Sequence, residues 1–190
     1  PHRGKATQPA LTAKPPAAAS ELVPVPSSIR KAVQDLMDAT WRDVVTRDRH
    51  RAPGARPAVP KFEVVQVSRN ENLKQWQEYV KRRRGMASQL THEHLLKGVL
   101  TERAGPELGT PDTSANEFLL WHGTQPSACA NICSHDFLLN LSGTHRGALL
   151  GHGLYFAESV SKADEYADDD KEGVYKGLYA MLLCRVALGR

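Results

Sequence analysis

Long apolar runs are missing from this chain of 190 residues. No stretch approaches the roughly 18 consecutive apolar residues that a helix needs to cross a bilayer, so we expect no membrane-spanning segment. The 41% of hydrophobic and 24% of charged residues are instead typical of a soluble protein. The length suffices for one domain with a real core but falls short of two full-sized domains, so a single domain is predicted.

Cysteine is also scarce, and the chain has only Cys129, Cys133 and Cys184. An odd number without a CxxC pair argues against a disulfide framework and against a zinc site. The "HEHLLKGVL" stretch at 92–100 lacks the second histidine at the spacing of zinc proteases. We therefore expect a reducing intracellular location, nuclear or cytoplasmic, and no metal.

The common nucleotide-binding motifs are absent as well. The chain has no Walker A sequence, and the glycine-rich "GALLGHG" at 147–153 precedes a predicted strand, whereas a dinucleotide fingerprint follows a strand and opens a helix. The net charge of +4 would suit an anionic partner, but mildly basic surfaces are commonly just solvated. Any nucleotide site in this chain must be built in another way.

The composition divides the chain into three segments. Residues 1–28 are rich in Pro and Ala and nearly free of acids and aromatics, so they are predicted to be a disordered linker. Residues 29–60 are predicted to be a helix and a loop, because apolar residues recur at helical spacing from Ile29 to Val45 behind a cap at Ser27 or Ser28. Residues 61–190 are predicted to form the folded domain.

Within 61–190, strand and helix patterns do not alternate regularly, which favours an α+β fold over a doubly wound sheet. Strands are predicted at 61–68, 117–121, 154–158 and 178–188. One helix has Leu73, Trp76, Tyr79 and Val80 on its apolar face and ends in a basic "KRRR" run at 81–84, before Gly85. A second helix is predicted from a cap at Ser161. The acidic turn at 168–170 is expected to be solvated.

Two blocks of sequence carry the chemistry, "WHGT" at 121–124 and "GHGLYFAESVSKADEY" at 151–166. Aromatic faces bind a flat cation, and a backbone N–H and C=O can pair with a carboxamide where glycine permits close approach. Gly123 is the candidate for that backbone contact, and Tyr155 and Tyr166 are the candidates for two aromatic walls. These residues would suit an oxidised nicotinamide ring.

Together with "MLLCRVALG" at 181–189, these blocks resemble the catalytic domain of the poly(ADP-ribose) polymerases, the diphtheria-toxin-like ADP-ribosyltransferases, over 62–190. The resemblance implies an antiparallel split β-sheet core with flanking helices. It also implies that NAD⁺ is the co-substrate and that ADP-ribose is transferred to protein acceptors with release of nicotinamide. The third signature residue of the family, a glutamate on a later strand, is expected beyond Arg190, so the domain is expected to be incomplete at its C-terminus.

By position, the resemblance implies that His122 binds a ribose hydroxyl of the adenosine part of NAD⁺ and acts with Tyr155 as a catalytic residue. The residues expected to bind NAD⁺ are His122, Gly123, Thr124, Tyr155, Lys162 and Tyr166. Arg146, in the flap at 139–150, would reach a phosphate. Ala163 stands where the family usually has a serine whose hydroxyl also binds the carboxamide.

Two other functions remain open at this point. Ala163 is compatible with an inactive member of the fold that serves as a binding or scaffold module. The "KRRR" run could instead contact nucleic acid, although basic residues are also favoured at a helix C-terminus by the helix dipole.

Overall fold

The chain folds into helices and two small sheets in the computed structural model, which describes residues 20–43, 60–138, 151 and 153–190. In chain order the helices and strands are β1 (Glu21–Pro24), α1 (Ser27–Thr40), β2 (Ser68–Glu71), α2 (Leu73–Ala87), β3 (Glu117–Thr124), α3 (Pro126–His135), α4 (Val160–Asp164) and β4 (Ala180–Ala187). Short 3-10 helices at His92–His94, Leu100–Arg103, Pro106–Leu108 and Thr113–Ala115 connect α2 to β3. The predicted α+β class is confirmed.

Both sheets are antiparallel and two-stranded within the described ranges, with β1 beside β2 and β3 beside β4. The register of the second sheet places Glu117 opposite Ala187 and Thr124 opposite Ala180. The apolar run at the start of β3 is buried, as predicted, whereas every residue of β4 is only half-buried. Strand β3 is therefore the central strand of the domain.

The hydrophobic core lies between α1, β3 and α4. Its buried members are Val33, Leu36, Trp121, Val160 and Ala163. The Trp121 side chain is 1% exposed, and its indole N–H donates to Thr40 Oγ1 at 3.0 Å. The largest core side chain thus fills its cavity and also satisfies its one polar atom.

A buried carboxylate ties α2 to both strands of the second sheet. Glu117, which is 0% exposed, accepts hydrogen bonds from Tyr79 Oη at 2.6 Å, Arg83 Nη1 at 3.0 Å and Arg185 Nη1 at 2.9 Å. The backbone N–H of Asp112 also donates to Glu117, at Oε2, over 2.6 Å. Four donors offset the cost of taking the charge out of water.

The same contacts change the acidity of the groups involved. Burial acts to raise the pKa of Glu117, but the hydrogen bonds from Tyr79, Asp112 and Arg83 and the charge of Arg185 outweigh it, so the pKa lies below its ordinary value. Burial and the hydrogen bond to Glu117 raise the pKa of Tyr79. Glu117 is thus held ionised and Tyr79 protonated.

The N-terminal third differs from the prediction in two places. Residues Glu21–Pro24, inside the segment predicted as a linker, form β1 because they pair with Ser68–Glu71. Residues 1–19 lie outside the described residues, and so do Val44 and Val45 of the predicted first helix. That helix begins at Ser27 with Pro26 at its N-cap, and no side chain caps it, so the predicted serine cap is wrong.

The strand predicted at 61–68 is wrong for its first seven residues, because a side chain of α1 binds their backbone. Gln34 donates from Nε2 to the Phe62 carbonyl at 2.9 Å and accepts from the Val64 N–H at 2.9 Å. Phe62, Val64 and Val67 meanwhile pack against the core. A glutamine carboxamide thus takes the place of a neighbouring strand beside this segment.

Three further predictions need correction. The strand predicted at 154–158 is reduced to one bridge between Ala157 and Trp121. The helix α4 begins after Ser159, because the Ser161 hydroxyl accepts from the Arg42 N–H at 2.7 Å and does not cap a helix. Helix α2 continues through Gly85. Of its predicted apolar face, Leu73 is 69% and Trp76 46% exposed, whereas Tyr79 and Val80 are half-buried.

No helix in the described ranges combines the length and the apolar character needed to cross a membrane.

Replacing Glu117 with Gln should destabilise the fold, because the neutral amide removes the negative charge that the half-buried Arg83 and Arg185 share and leaves Arg83 only the Asp112 carboxylate at 3.5 Å. We expect the free energy of unfolding to fall by about 3–5 kcal/mol, measured by urea denaturation. Glu71→Gln is the matched control, since Glu71 pairs with Arg69 at the surface and its loss should cost no more than about 1 kcal/mol. Equal costs for the two variants would contradict this role of Glu117.

Stability should also fall on acidification for the same reason. A carboxyl whose pKa is lowered by folding contributes stability above its unfolded pKa and loses it as the pH falls through the folded value. For Glu117 this loss begins near its ordinary pKa of 4.5 and continues below it. Denaturation at a series of pH values should show a shallower acid-side slope in Glu117→Gln than in the wild type, and identical slopes would argue against it.

Candidate functional site

The candidate site lies where one edge of β3 loses its neighbour. Trp121 exchanges both of its backbone hydrogen bonds with Ala157, at 2.8 and 2.9 Å, in an isolated bridge. Backbone hydrogen-bonded residues alternate along an antiparallel pair, so His122 exchanges hydrogen bonds with β4, opposite Leu182, and Gly123 does not. The N–H and C=O of Gly123 therefore project from the same edge as those of Trp121.

The neighbouring segment diverges from β3 at this point. The Trp121–Ala157 register, continued by two residues, would place Tyr155 opposite Gly123. The Tyr155 carbonyl instead lies 2.9 Å from His122 Nδ1. The His122 side chain has thus taken the acceptor that would have continued the ladder, and among the described residues no strand pairs with this edge at Gly123.

The imidazole of His122 is oriented by this contact. A carbonyl oxygen can only accept, so Nδ1 must carry the proton, and in the neutral ring Nε2 is left as an acceptor. Phe137 lies edge-on at 5.1 Å between ring centroids, and Phe156 lies at 5.7 Å. His122 thus presents an acceptor nitrogen from a ring held by two aromatic neighbours, which the sequence did not reveal.

Gly123 is required by packing as well as by any ligand. A Cβ atom at this position would lie 1.9 Å from the Ala163 carbonyl oxygen and 3.1 Å from the Ala167 nitrogen. Helix α4 therefore packs directly on the backbone of β3. The same Ala163 carbonyl accepts the N–H of Tyr166 at 3.1 Å, so the close approach at Gly123 also sets where Tyr166 lies.

The other predicted residues lie on the segments that meet here. Tyr155 is 36% exposed and donates from its hydroxyl to the Gly151 carbonyl at 2.7 Å. Thr124 is the half-buried last residue of β3. Lys162 pairs with Glu165 at 2.6 Å and lies 5.0 Å from the centre of the Tyr166 ring. Arg146 lies outside the described residues.

One residue of the acidic turn has a role that the sequence did not predict. Asp170 accepts hydrogen bonds from the Ser127 N–H at 3.1 Å and the Ser127 hydroxyl at 2.9 Å, and so caps the start of α3. This contact joins the segment after Tyr166 to the segment after Thr124. The expectation of a merely solvated turn is therefore wrong for Asp170.

The basic run of α2 is divided between two environments. Arg83 binds buried Glu117, whereas Lys81, Arg82 and Arg84 are exposed. A shallow groove of about 460 Å³ along α2 contains none of the candidate site residues; it is lined by Trp76, Gln77, Val80, Lys81 and Arg84. Across the described ranges, no three His, Cys, Asp or Glu residues converge as a metal site would require.

Comparison with known proteins identifies a family. Residues 49–190 match the model of the poly(ADP-ribose) polymerase catalytic domain. Protein mono-ADP-ribosyltransferase PARP10 of Mus musculus is 42% identical over 65 residues, which cover 33% of this chain and 7% of that protein. Protein mono-ADP-ribosyltransferase PARP11 of Homo sapiens is 32% identical over 89 residues, covering 39% and 26%. Poly [ADP-ribose] polymerase tankyrase of Caenorhabditis elegans is 34% identical over 76 residues, covering 40% and 3%. The chain thus matches only a small part of each relative's length.

Replacing Gly123 with Ala should force α4 away from β3, because the new methyl group would overlap the Ala163 carbonyl. We expect a loss of about 1–3 kcal/mol in the free energy of unfolding, measured by denaturation. Gly85→Ala is the control, since a Cβ there meets nothing within 4 Å and alanine favours a helix. A Gly123→Ala variant as stable as the wild type would show that the two elements are not in this close contact.

Proposed function

The chain belongs to the family of poly(ADP-ribose) polymerase catalytic domains, and on that premise we propose that it is an NAD⁺-dependent ADP-ribosyltransferase that modifies protein acceptors and releases nicotinamide. The observation that carries the proposal is the edge of β3 at Gly123, where the backbone N–H and C=O project beyond the end of strand pairing.

A primary carboxamide has the groups that fit this edge. Its oxygen accepts from an N–H and its amino group donates to a carbonyl, so the nicotinamide carboxamide would bind the N–H and C=O of Gly123 together. The chain already contains a related pairing across two residues, since the Gln34 carboxamide bonds to the Phe62 carbonyl and the Val64 N–H. The residues present therefore fit the nicotinamide end of NAD⁺.

The neighbouring side chains would hold the rest of the dinucleotide. The acceptor nitrogen of His122 suits a ribose hydroxyl, which donates. Tyr155 and Tyr166 would enclose the positively charged nicotinamide ring between aromatic faces. Ala163 offers no hydroxyl, so one hydrogen bond worth about 0.5–1.5 kcal/mol is missing and NAD⁺ binding should be correspondingly weaker.

The dinucleotide supplies the bond that breaks, between the nicotinamide nitrogen and ribose C1. The residues described here would hold the two ends of the dinucleotide around that bond: Gly123 and the tyrosines would fix the nicotinamide, and His122 would fix the ribose of the adenosine. Catalysis by positioning accords with such a site, because a well-oriented donor needs less rearrangement to react. The alternative, favoured by Ala163, is a binding module that holds NAD⁺ or a fragment of it without transfer.

Changing His122 should weaken binding of NAD⁺ and leave binding of nicotinamide nearly unchanged, because its acceptor nitrogen is assigned to a ribose. His122→Asn keeps a donor that can reach the Tyr155 carbonyl but, being shorter, places no acceptor at the position of Nε2, whereas His122→Ala removes both groups. We expect a loss of roughly twofold to tenfold in NAD⁺ affinity by calorimetry for His122→Asn. His92→Ala, at an exposed histidine, is the control.

Transfer is then measured on the full-length protein, as incorporation of labelled ADP-ribose into protein. Incorporation that is lost in His122→Ala supports the transferase, and NAD⁺ binding without incorporation supports the binding module. A folded wild-type chain that binds neither NAD⁺ nor nicotinamide would refute both.

A further inference from the structure

Next to the candidate nicotinamide site lies a buried acid that no part of the proposed function uses. The Glu165 side chain follows α4 directly and is 2% exposed. Its Oε2 atom lies 2.6 Å from the ammonium of Lys162, one helical turn earlier. A carboxylate removed from water needs such a partner, so the position of Lys162 is fixed by Glu165.

The same ammonium lies against Tyr166. Lys162 Nζ is 5.0 Å from the centre of the tyrosine ring, within the range of a cation–π contact. The Lys162 side chain is 35% exposed, so it joins a buried acid on one side to an aromatic ring near the surface on the other. The ion pair with Glu165 thus positions the Lys162 ammonium, and the cation–π contact of that ammonium positions the Tyr166 ring.

This arrangement raises an electrostatic problem for the proposed ligand. Oxidised nicotinamide carries a positive charge, and stacked on the face of Tyr166 opposite Lys162 it would lie within about 10 Å of the ammonium. Two positive charges at that distance repel each other appreciably in a partly buried site. The negative charge of Glu165, in direct contact with the ammonium, cancels most of that repulsion.

We infer that Glu165 is a specificity-determining residue, which lets Tyr166 accept a cationic nicotinamide on one face while Lys162 supports its other face. Lys162 is accordingly a positioning residue for Tyr166 and not a ligand of the dinucleotide phosphates. The inference rests on the proposed function, since it assumes that nicotinamide binds beside Tyr166.

Two probes of nearly equal shape isolate the effect of charge. Nicotinamide is neutral, whereas 1-methylnicotinamide carries the positive charge of the ring in NAD⁺. In Glu165→Gln the affinity for 1-methylnicotinamide should fall by roughly threefold to tenfold more than the affinity for nicotinamide, measured by calorimetry on the folded chain. Glu172→Gln, at an exposed acid of the following turn, should leave the ratio of the two affinities unchanged.

A double variant tests whether the effect passes through the lysine. With Lys162→Met present as well, the pair loses both of its charges, so the ratio of the affinities should return close to its wild-type value. If Glu165→Gln fails to fold, Lys162→Met alone serves, because removing the ammonium should shift the ratio toward the cation.

The possible results distinguish failure of this inference from failure of the proposed function. Equal losses for both probes in Glu165→Gln would mean that Glu165 only supports the fold, and the inference would be overturned while the nicotinamide site stands. A double variant, Lys162→Met with Glu165→Gln, whose ratio stays as low as that of Glu165→Gln would also overturn it. A folded wild-type chain that binds neither probe would remove the proposed function and this inference together.

Discussion

The structure depends most on how Trp121 is held. Its side chain fills the core between α1 and α4, its indole N–H binds Thr40, and its backbone pairs with Ala157 on one edge of β3. These three contacts fix the position of Trp121, and they therefore also determine where His122 and Gly123, the next two residues, lie. His122 points toward Phe137 and Phe156, and Gly123 lies against the backbone of Ala163. The candidate site therefore begins directly after the core residue Trp121, on the same strand.

One interaction, a carboxamide bonded to a backbone N–H and a backbone C=O, underlies both a feature of the fold and the proposed function. In the fold, Gln34 takes the place of a strand beside Phe62 and Val64. In the proposed function, nicotinamide does the same beside Gly123. At the other end of β3, Glu117 gathers Tyr79, Arg83 and Arg185 around one buried charge, which anchors the strand from which the site projects. A strand anchored at both ends, whose backbone at Gly123 has no strand partner among the described residues, is a simple way to prepare a binding site.

What the sequence predicted, and what it did not, follows from the range of the interactions. The apolar run before His122 and the glycine after it predict a buried strand that ends in a site, since both signals are local. The segment at 61–67 has the same strand pattern, but its partner is a side chain from 28 to 30 residues earlier, which periodicity does not reveal. The predicted roles of Ser161 as a helix cap and of Asp170 as a solvated residue are wrong for the same reason. Their partners, Arg42 and Ser127, are distant in the sequence.

The most direct test of the account is to follow the backbone amide of Gly123 by nitrogen-15 NMR while nicotinamide is added to the labelled chain. If the carboxamide binds at the edge of β3, the Gly123 resonance should shift with the ligand. The amide of Leu120, which the strand register pairs with β4, should stay nearly still. Saturable binding that leaves the Gly123 amide unmoved would place nicotinamide elsewhere and contradict the account.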